Sequence, residues 1–357
     1  MFKSPRVSVV GGNVFSKVGG MQLAVRSMLE FLVEENRLDV AFLRLDNPQD
    51  IPEALKSHIR CFSGNTLKFL FAVFLHCLMR RKVFWVCDHI NYAPLVAALS
   101  WGGRFCVIGY AYEFTLRVSY LKLWALRRAR SIVCISSYTK KLCEKLGVGD
   151  RKLEICHLGV DFELSGDSMR RQKAHEILFV GRMDEAYKGQ DHLIYAIAQL
   201  KERFPFIKLN LVGGGASLDY YKNLARAQGV ENNVNVLGYV SDKALVGFYE
   251  SASVFAMPSQ CEGFGFVFVE AMAHGLPCVA SNEDAAQEVV LHGETGYCIP
   301  YRDVDMLTGV LISLFEDDAR REVMGARGRE RYLDQFTRSA YKQRFIALID
   351  RITSCAE

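Results

Sequence analysis

Short apolar or β-branched runs alternate with stretches of helical periodicity along nearly the whole chain. The runs predict strands at 6–12, 38–45, 82–88, 104–112 and 131–136, then at 175–182, 208–215, 234–240, 252–259 and 277–281. Helices are predicted between them, at 20–35, 137–146, 188–203, 217–228, 241–250 and 303–315. A last stripe of Phe345, Ile346, Leu348, Ile349 and Ile352 predicts a helix over 341–352. Strands this apolar are buried on both faces, which calls for parallel sheets with helices on each side. Two groups of five strands predict an α/β protein of two doubly wound, Rossmann-like domains rather than one large sheet. The join falls in the polar, glycine-containing stretch 156–176.

Composition narrows this little. With 357 residues, half of them apolar, the chain can bury two ordinary cores. Eleven cysteines stand in apolar surroundings with no C-x-x-C pair, which indicates reduced, core-packed thiols and a cytoplasmic setting. The first residues run straight into a strand, so no secretory signal is expected.

Charge changes the picture more. Residues 1–165 hold 23 Lys/Arg against 14 Asp/Glu, a net +9, while the remainder holds 21 against 26, a net −5. Most of the excess lies in 60–152, with 16 basic and 4 acidic residues. The two halves are therefore expected to meet different partners, and for the basic half these are nucleic acid or an anionic membrane surface. The 60–152 positives form no compact recognition motif, which argues against nucleic acid. The most apolar run, "FLFAVFLHCLM" at 69–79, is flanked by Lys68 and by Arg80-Arg81-Lys82. As a helix it covers roughly 16 Å of a hydrocarbon layer of roughly 30 Å, so it does not span. It reads first as a buried helix of an α/β domain, and alternatively as a helix dipping into a membrane interface beside the basic stretch 120–131.

Candidate chemistry gathers in the second half. No G-x-G-x-x-G follows a strand and no G-x-x-x-x-G-K-[ST] occurs, so neither a dinucleotide fingerprint nor a P-loop is present. In "SQCEGFGFVFVEAMAHGLPCVAS", 259–281, Glu262 and Glu270 flank Gly263-Phe264-Gly265, which leaves the first amides of a following helix open to a phosphate oxygen. A carboxylate is repelled by phosphate but takes two hydrogen bonds from a vicinal diol, so Glu270 suits a ribose and Glu262 another part of the same ligand. Two exposed acids favoured by a helix dipole are the plainer alternative. Arg182 ends the strand "ILFVG" and Lys188 follows six residues later, a geometry for two cations converging on one anion. Together these describe a site for a nucleoside diphosphate.

"VGRMDEAYKGQDHLIYAIAQL", "SVFAMPSQCEGFGFVFVEAMAHGLPCVAS" and "HGETGYCIP" resemble the retaining glycosyltransferases of family 4, whose E-x7-E element matches Glu262 and Glu270. The likeness covers nearly the whole chain and is densest after residue 130. It implies the GT-B fold: two Rossmann-like domains facing across a cleft, here 1–165 plus 336–357 and 166–335, with the C-terminal helix crossing back to the first. It places Arg182 and Lys188 on the donor diphosphate and Glu270 on the ribose. Glu262 and the amides near Phe264–Phe266, Phe266 included, fall on the donor sugar. Tyr239 and Val240 lie beside the base, and Gly19-Gly20 face the donor phosphates and acceptor. Glu262, Arg182 and Lys188 are thus the expected catalytic groups. The implied activity moves a sugar from a UDP- or GDP-sugar to a glycan or lipid-linked hydroxyl, as in cell-surface polysaccharide or lipopolysaccharide assembly, without cofactor or metal. A cytoplasmic protein, peripheral on the membrane through 60–152, is expected.

Two departures stand out. The family's H-G-x-E-like element reads Tyr110-Ala111-Tyr112-Glu113, so an uncharged phenol replaces an imidazole on the acceptor side, where His89 is a nearby substitute. The G-G-x-x-E before "VV" reads Asp284-Ala285-Ala286-Gln287-Glu288, which narrows or re-aims the donor-sugar pocket. Asp303-Val304-Asp305 has a metal-binding shape, but it opens a helix and is expected to cap it. The rival readings are a soluble-acceptor synthase, a GT-B epimerase or phosphorylase, and a nucleic-acid binder. No G-x-S-x-G hydrolase elbow occurs.

Overall fold

The first group of apolar runs forms one parallel sheet. In the computed structural model, which describes residues 6–16, 19–162, 175–184 and 186–354, it contains β1 (Val7–Gly11), β2 (Leu38–Leu43), β3 (Ile59–Cys61), β4 (Phe84–Cys87), β5 (Phe105–Gly109), β6 (Ser131–Cys134) and β7 (Leu153–Ile155). Their spatial order is β3-β2-β1-β4-β5-β6-β7, every pairing parallel. The connecting helices are α1 (Gly20–Glu34), α2 (Thr66–Met79), α3 (Ala93–Leu99), α4 (Tyr112–Thr115), α5 (Tyr120–Arg128) and α6 (Ser137–Lys145). Strands β1, β4, β5 and β6 are buried at every position, as a sheet covered on both faces requires.

The second group builds another parallel sheet from β8 (Glu176–Val180), β9 (Lys208–Val212), β10 (Val234–Gly238), β11 (Val254–Met257), β12 (Cys278–Ser281) and β13 (Gly296–Ile299), in the order β10-β9-β8-β11-β12-β13. Its helices are α7 (Gln190–Leu200), α8 (Leu218–Ala227), α9 (Asp242–Ser251), α10 (Phe266–Ala273), α11 (Ala286–Val289), α12 (Val304–Glu316) and α13 (Asp318–Gln335). The chain then returns: α14 (Arg338–Ser354) belongs to the first unit, which comprises Met1–Val160 and Arg338–Glu357, while the second is Asp161–Thr337. Tyr341 meets Phe31 edge-on at 5.2 Å, and Arg338 and Lys342 reach Glu30, Glu34 and Glu35 of α1 and its end. Phe345, Leu348, Ile349 and Ile352 are buried as the stripe predicts, and Ile346 half-buried.

Three strands went unpredicted. β3 and β7 are three residues each, too short for alternation to register, and β13 begins on a glycine within "HGETGYCIP". The 165/166 boundary expected within the 156–176 join lies among residues 163–174, outside the described residues. The reading of 69–79 as a buried helix is corrected. In α2 only Phe69, Val73 and Cys77, spaced by one turn, are buried, while Leu67, Leu70, Phe71, Phe74, Leu75, Leu78 and Met79 are exposed. The helix is apolar all round, a composition that ordinarily marks a buried helix, yet it buries only this one narrow stripe. No helix among the described residues is long and apolar enough to cross a membrane.

Candidate functional site

A doubly wound sheet opens a crevice outside the carboxyl ends of its strands where the strand order reverses. In the second unit this point lies between β8 and β11. The loops leaving those two strands carry Arg182, Lys188 and Glu262–Gly265. A Cβ at Gly213, after β9, would stand 1.8 Å from the carbonyl oxygen of Gly181, so only glycine allows the strand ends to draw together there.

Lys188 ends a short turn, Ala186–Lys188, and its aliphatic chain lies against Gly181. Its Nζ forms an ion pair with Oε1 of Glu262, with both side chains largely withdrawn from solvent. Arg182 is exposed, and its carbonyl accepts a hydrogen bond of 3.0 Å from Gln190 Nε2 at the start of α7. Gly265 sets up α10 with φ +88°, a region open to glycine, and no side chain caps the helix. The Phe268 N–H turns back to the Gly265 carbonyl at 3.0 Å, which leaves the Phe266 and Val267 amides for another acceptor. Phe264 is buried against Phe266 and Phe336, with ring centroids 5.5 and 5.8 Å away, and Gly263 is half-buried.

Glu270 sits in the second turn of α10. Tyr249 Oη of α9 donates to its Oε2 at 3.0 Å, while Oε1 accepts no hydrogen bond among the described residues. Burial pushes this carboxyl up to about 7, against the Tyr249 hydrogen bond that favours the ion. Tyr239 is exposed and its Cβ lies near Gly214, with Val240 half-buried beside it. Lys188 and Glu262 are therefore brought into contact, and Gly181, just before Arg182, packs against Lys188. Among the described residues, no hydrogen bond or ion pair joins Glu270, Tyr239 or Val240 to them.

The first unit holds the acceptor-side candidates. Gly19 and Gly20 are exposed at the start of α1. Tyr110, buried at the end of β5, donates its backbone N–H to Glu113 Oε1 at 2.7 Å. Burial pushes its phenol well above the ordinary range, and Glu113 up to about 7. Between them Ala111 takes φ 90°, ψ −61°, a γ-turn conformation strained for an L residue. His89 accepts the Asn91 N–H on Nδ1 at 3.1 Å, capping the turn Ile90–Tyr92, and burial lowers its pKa to about 4. It is a neutral capping residue.

Sequence reasoning passed over two buried carboxylates. Asp88 Oδ2, where this sheet's order reverses between β1 and β4, accepts the Gly12 N–H at 3.1 Å, and burial pushes the group to about 7. Asp284, fully buried, accepts hydrogen bonds from Ser259, Glu262 and Ala286. Its signal was its place in the altered G-G-x-x-E element. Asp303 caps α12 through the Met306 N–H at 2.8 Å, as expected, and Asp305 accepts from Gln199.

The model of the glycosyl transferases group 1 matches residues 162–331. A phosphatidyl-myo-inositol mannosyltransferase of Mycobacterium leprae is 37% identical over 352 residues, covering 91% of each chain. A GDP-mannose-dependent alpha-(1-6)-phosphatidylinositol monomannoside mannosyltransferase of Mycobacterium tuberculosis is 38% identical over 150 residues. That match takes in 40% of this chain and only 39% of the relative's length. The crystal structure of Anabaena HepE in complex with UDP and glucose has a TM-score of 0.78 and 20% identity, covering 97% of this chain and 100% of the other. The fold is GT-B. The chain belongs to the group 1, family 4-type glycosyltransferases.

Proposed function

We propose that this chain is a retaining hexosyltransferase that moves a sugar from a UDP- or GDP-sugar to a hydroxyl of a glycan or lipid-linked acceptor. The pairing of Lys188 with Glu262 at the strand-order reversal of the second sheet carries the reading. As the glycosidic bond breaks, negative charge grows on the departing diphosphate and positive charge on the sugar. In this reading Arg182, Lys188 and the α10 amides meet the former, without a metal ion, in a site whose charges need little rearrangement. Glu262 holds the sugar and favours its cationic character. Glu270, with one oxygen fixed by Tyr249 and the other available, receives the ribose diol. The departing phosphate oxygen takes the acceptor's proton.

A mannosyltransferase acting on phosphatidyl-myo-inositol, similar over nearly the whole chain, supports an acceptor carried on a lipid. So does α2, where six exposed large apolar side chains stand between exposed Lys68 and Arg80-Arg81-Lys82. Apolar insertion with a basic flank fits an anionic bilayer surface. The proposal places the protein on the cytoplasmic face, building surface polysaccharide or lipopolysaccharide. The test is incubation with UDP-glucose or GDP-mannose and an anionic lipid extract, with the product's anomeric proton read by NMR. Retained configuration in a lipid-bound product is expected. An inverted product, or transfer to soluble sugars alone, contradicts the reading.

A further inference from the structure

Glu262 sits in a loop that contains two glycines, Gly263 and Gly265, and such a segment has no stiffness of its own. Its backbone is nonetheless tied at both ends of one residue. The Glu262 N–H donates to Asp284 Oδ2 at 2.8 Å, and its carbonyl accepts the Ala285 N–H at 3.1 Å. The same Oδ2 takes the hydroxyl of fully buried Ser259 at 2.7 Å, while Oδ1 takes the Ala286 N–H at 2.9 Å. In a side chain sealed from solvent, Oδ2 thus joins the loop after β11 to the loop after β12, while Oδ1 fixes the carboxylate against the start of α11.

A carboxylate this buried is costly to keep, and burial pushes its pKa up to about 7 despite the three donors. A small apolar residue would fill the space without that cost but would leave three donors unpaired. We infer that Asp284 is the positioning residue for Glu262, fixing the glutamate's backbone so that its carboxylate meets the donor sugar in one orientation. Asp284 touches no substrate; it acts through Glu262. The inference rests on the donor-site reading given above, and it assigns a role to the residue that departs from the family's glycine pair.

Misplacing a reacting group by an ångström lowers a rate about a hundredfold without loosening the rest of the ligand. Asp284→Ala should therefore reduce release of nucleoside diphosphate from UDP-glucose or GDP-mannose by roughly ten- to a hundredfold in kcat, with the affinity for UDP or GDP changed less than about threefold. Asp284→Asn, which keeps one oxygen for Ser259 and Glu262, should fall between. In a Glu262→Ala background, Asp284→Ala should cost nothing further, because the group it positions is gone. Loss by the same factor in both backgrounds, or loss of nucleotide affinity together with kcat, overturns the inference. Should Asp284→Ala fail to fold, the same comparisons with Asp284→Asn decide it. Amide exchange of a 259–265 peptide reads the clamp without any turnover: it should quicken in Asp284→Ala and less in Asp284→Asn, and unchanged protection in Asp284→Ala refutes the clamp. A wild type that turns over no nucleotide sugar fails the donor-site reading first, before any variant is made.

Discussion

Lys188 and Glu262, 74 residues apart, form an ion pair between the loops that leave β8 and β11. A diphosphate approaching Lys188 must compete with that carboxylate. Glu262→Gln frees the ammonium, so UDP affinity should hold or rise while turnover drops by about 10²–10³-fold, the scale for one lost electrostatic contact in a transition state. Lys188→Ala should lower UDP affinity about ten- to a hundredfold, as loss of a charge-assisted hydrogen bond does. Titration calorimetry beside a turnover assay separates the two. Equal loss of affinity in both variants contradicts the arrangement.

Glu270 gives a pH dependence. Its folded-state pKa is raised from 4.5 to about 7 by burial, so between those values the folded protein holds a proton that the unfolded chain has released. Its contribution to stability is full below the unfolded value and is lost as pH rises through about 7. Glu270→Gln keeps an acceptor for Tyr249 and removes the buried charge. Relative to wild type it should gain stability from about pH 5 to 8, by an amount on the order of 3 kcal/mol. Melting curves at several pH values check this, and a constant difference across the range contradicts it.

Ala111 pays for its γ-turn. Glycine at the same φ of 90° avoids the strain of about 1–3 kcal/mol but gains freedom in the unfolded chain worth about 0.4–1 kcal/mol. Ala111→Gly should therefore raise the melting temperature slightly. A fall shows that the backbone there is relaxed.

The exposed face of α2 predicts membrane affinity. Phe71→Ser with Leu75→Ser, both exposed, should leave the fold intact and reduce sedimentation with vesicles containing anionic lipid. Raising salt to roughly 0.5 M should weaken the wild type's binding by screening the basic flank. Sedimentation indifferent to both changes removes α2 from the account.

Most of this fold was legible because its strands are buried on both faces and its helices long enough to show a period. The ten predicted strands all appear, and Phe345 to Ile352 mark the returning helix. What pattern could not supply was partnership. Nothing along the chain says that Tyr249 would hold Glu270, or that Asp284 would hold Glu262, since those contacts join loops and helices through the fold rather than through spacing. His89 drew notice for its chemistry, yet its hydrogen bond to Asn91 makes it a cap, while Asp88 beside it is the buried carboxylate. For α2, apolar composition gave burial as the first reading because composition does not reveal how narrow the covering stripe is.

The most direct test is donor binding itself. Wild-type protein titrated with UDP-glucose and GDP-mannose should show a raised melting temperature with one of them, growing with concentration as a ligand specific for the folded state requires. Lys188→Ala combined with Arg182→Ala should abolish the rise. No rise with any nucleotide sugar, or an equal rise in the double variant, contradicts a diphosphate site at these two cations.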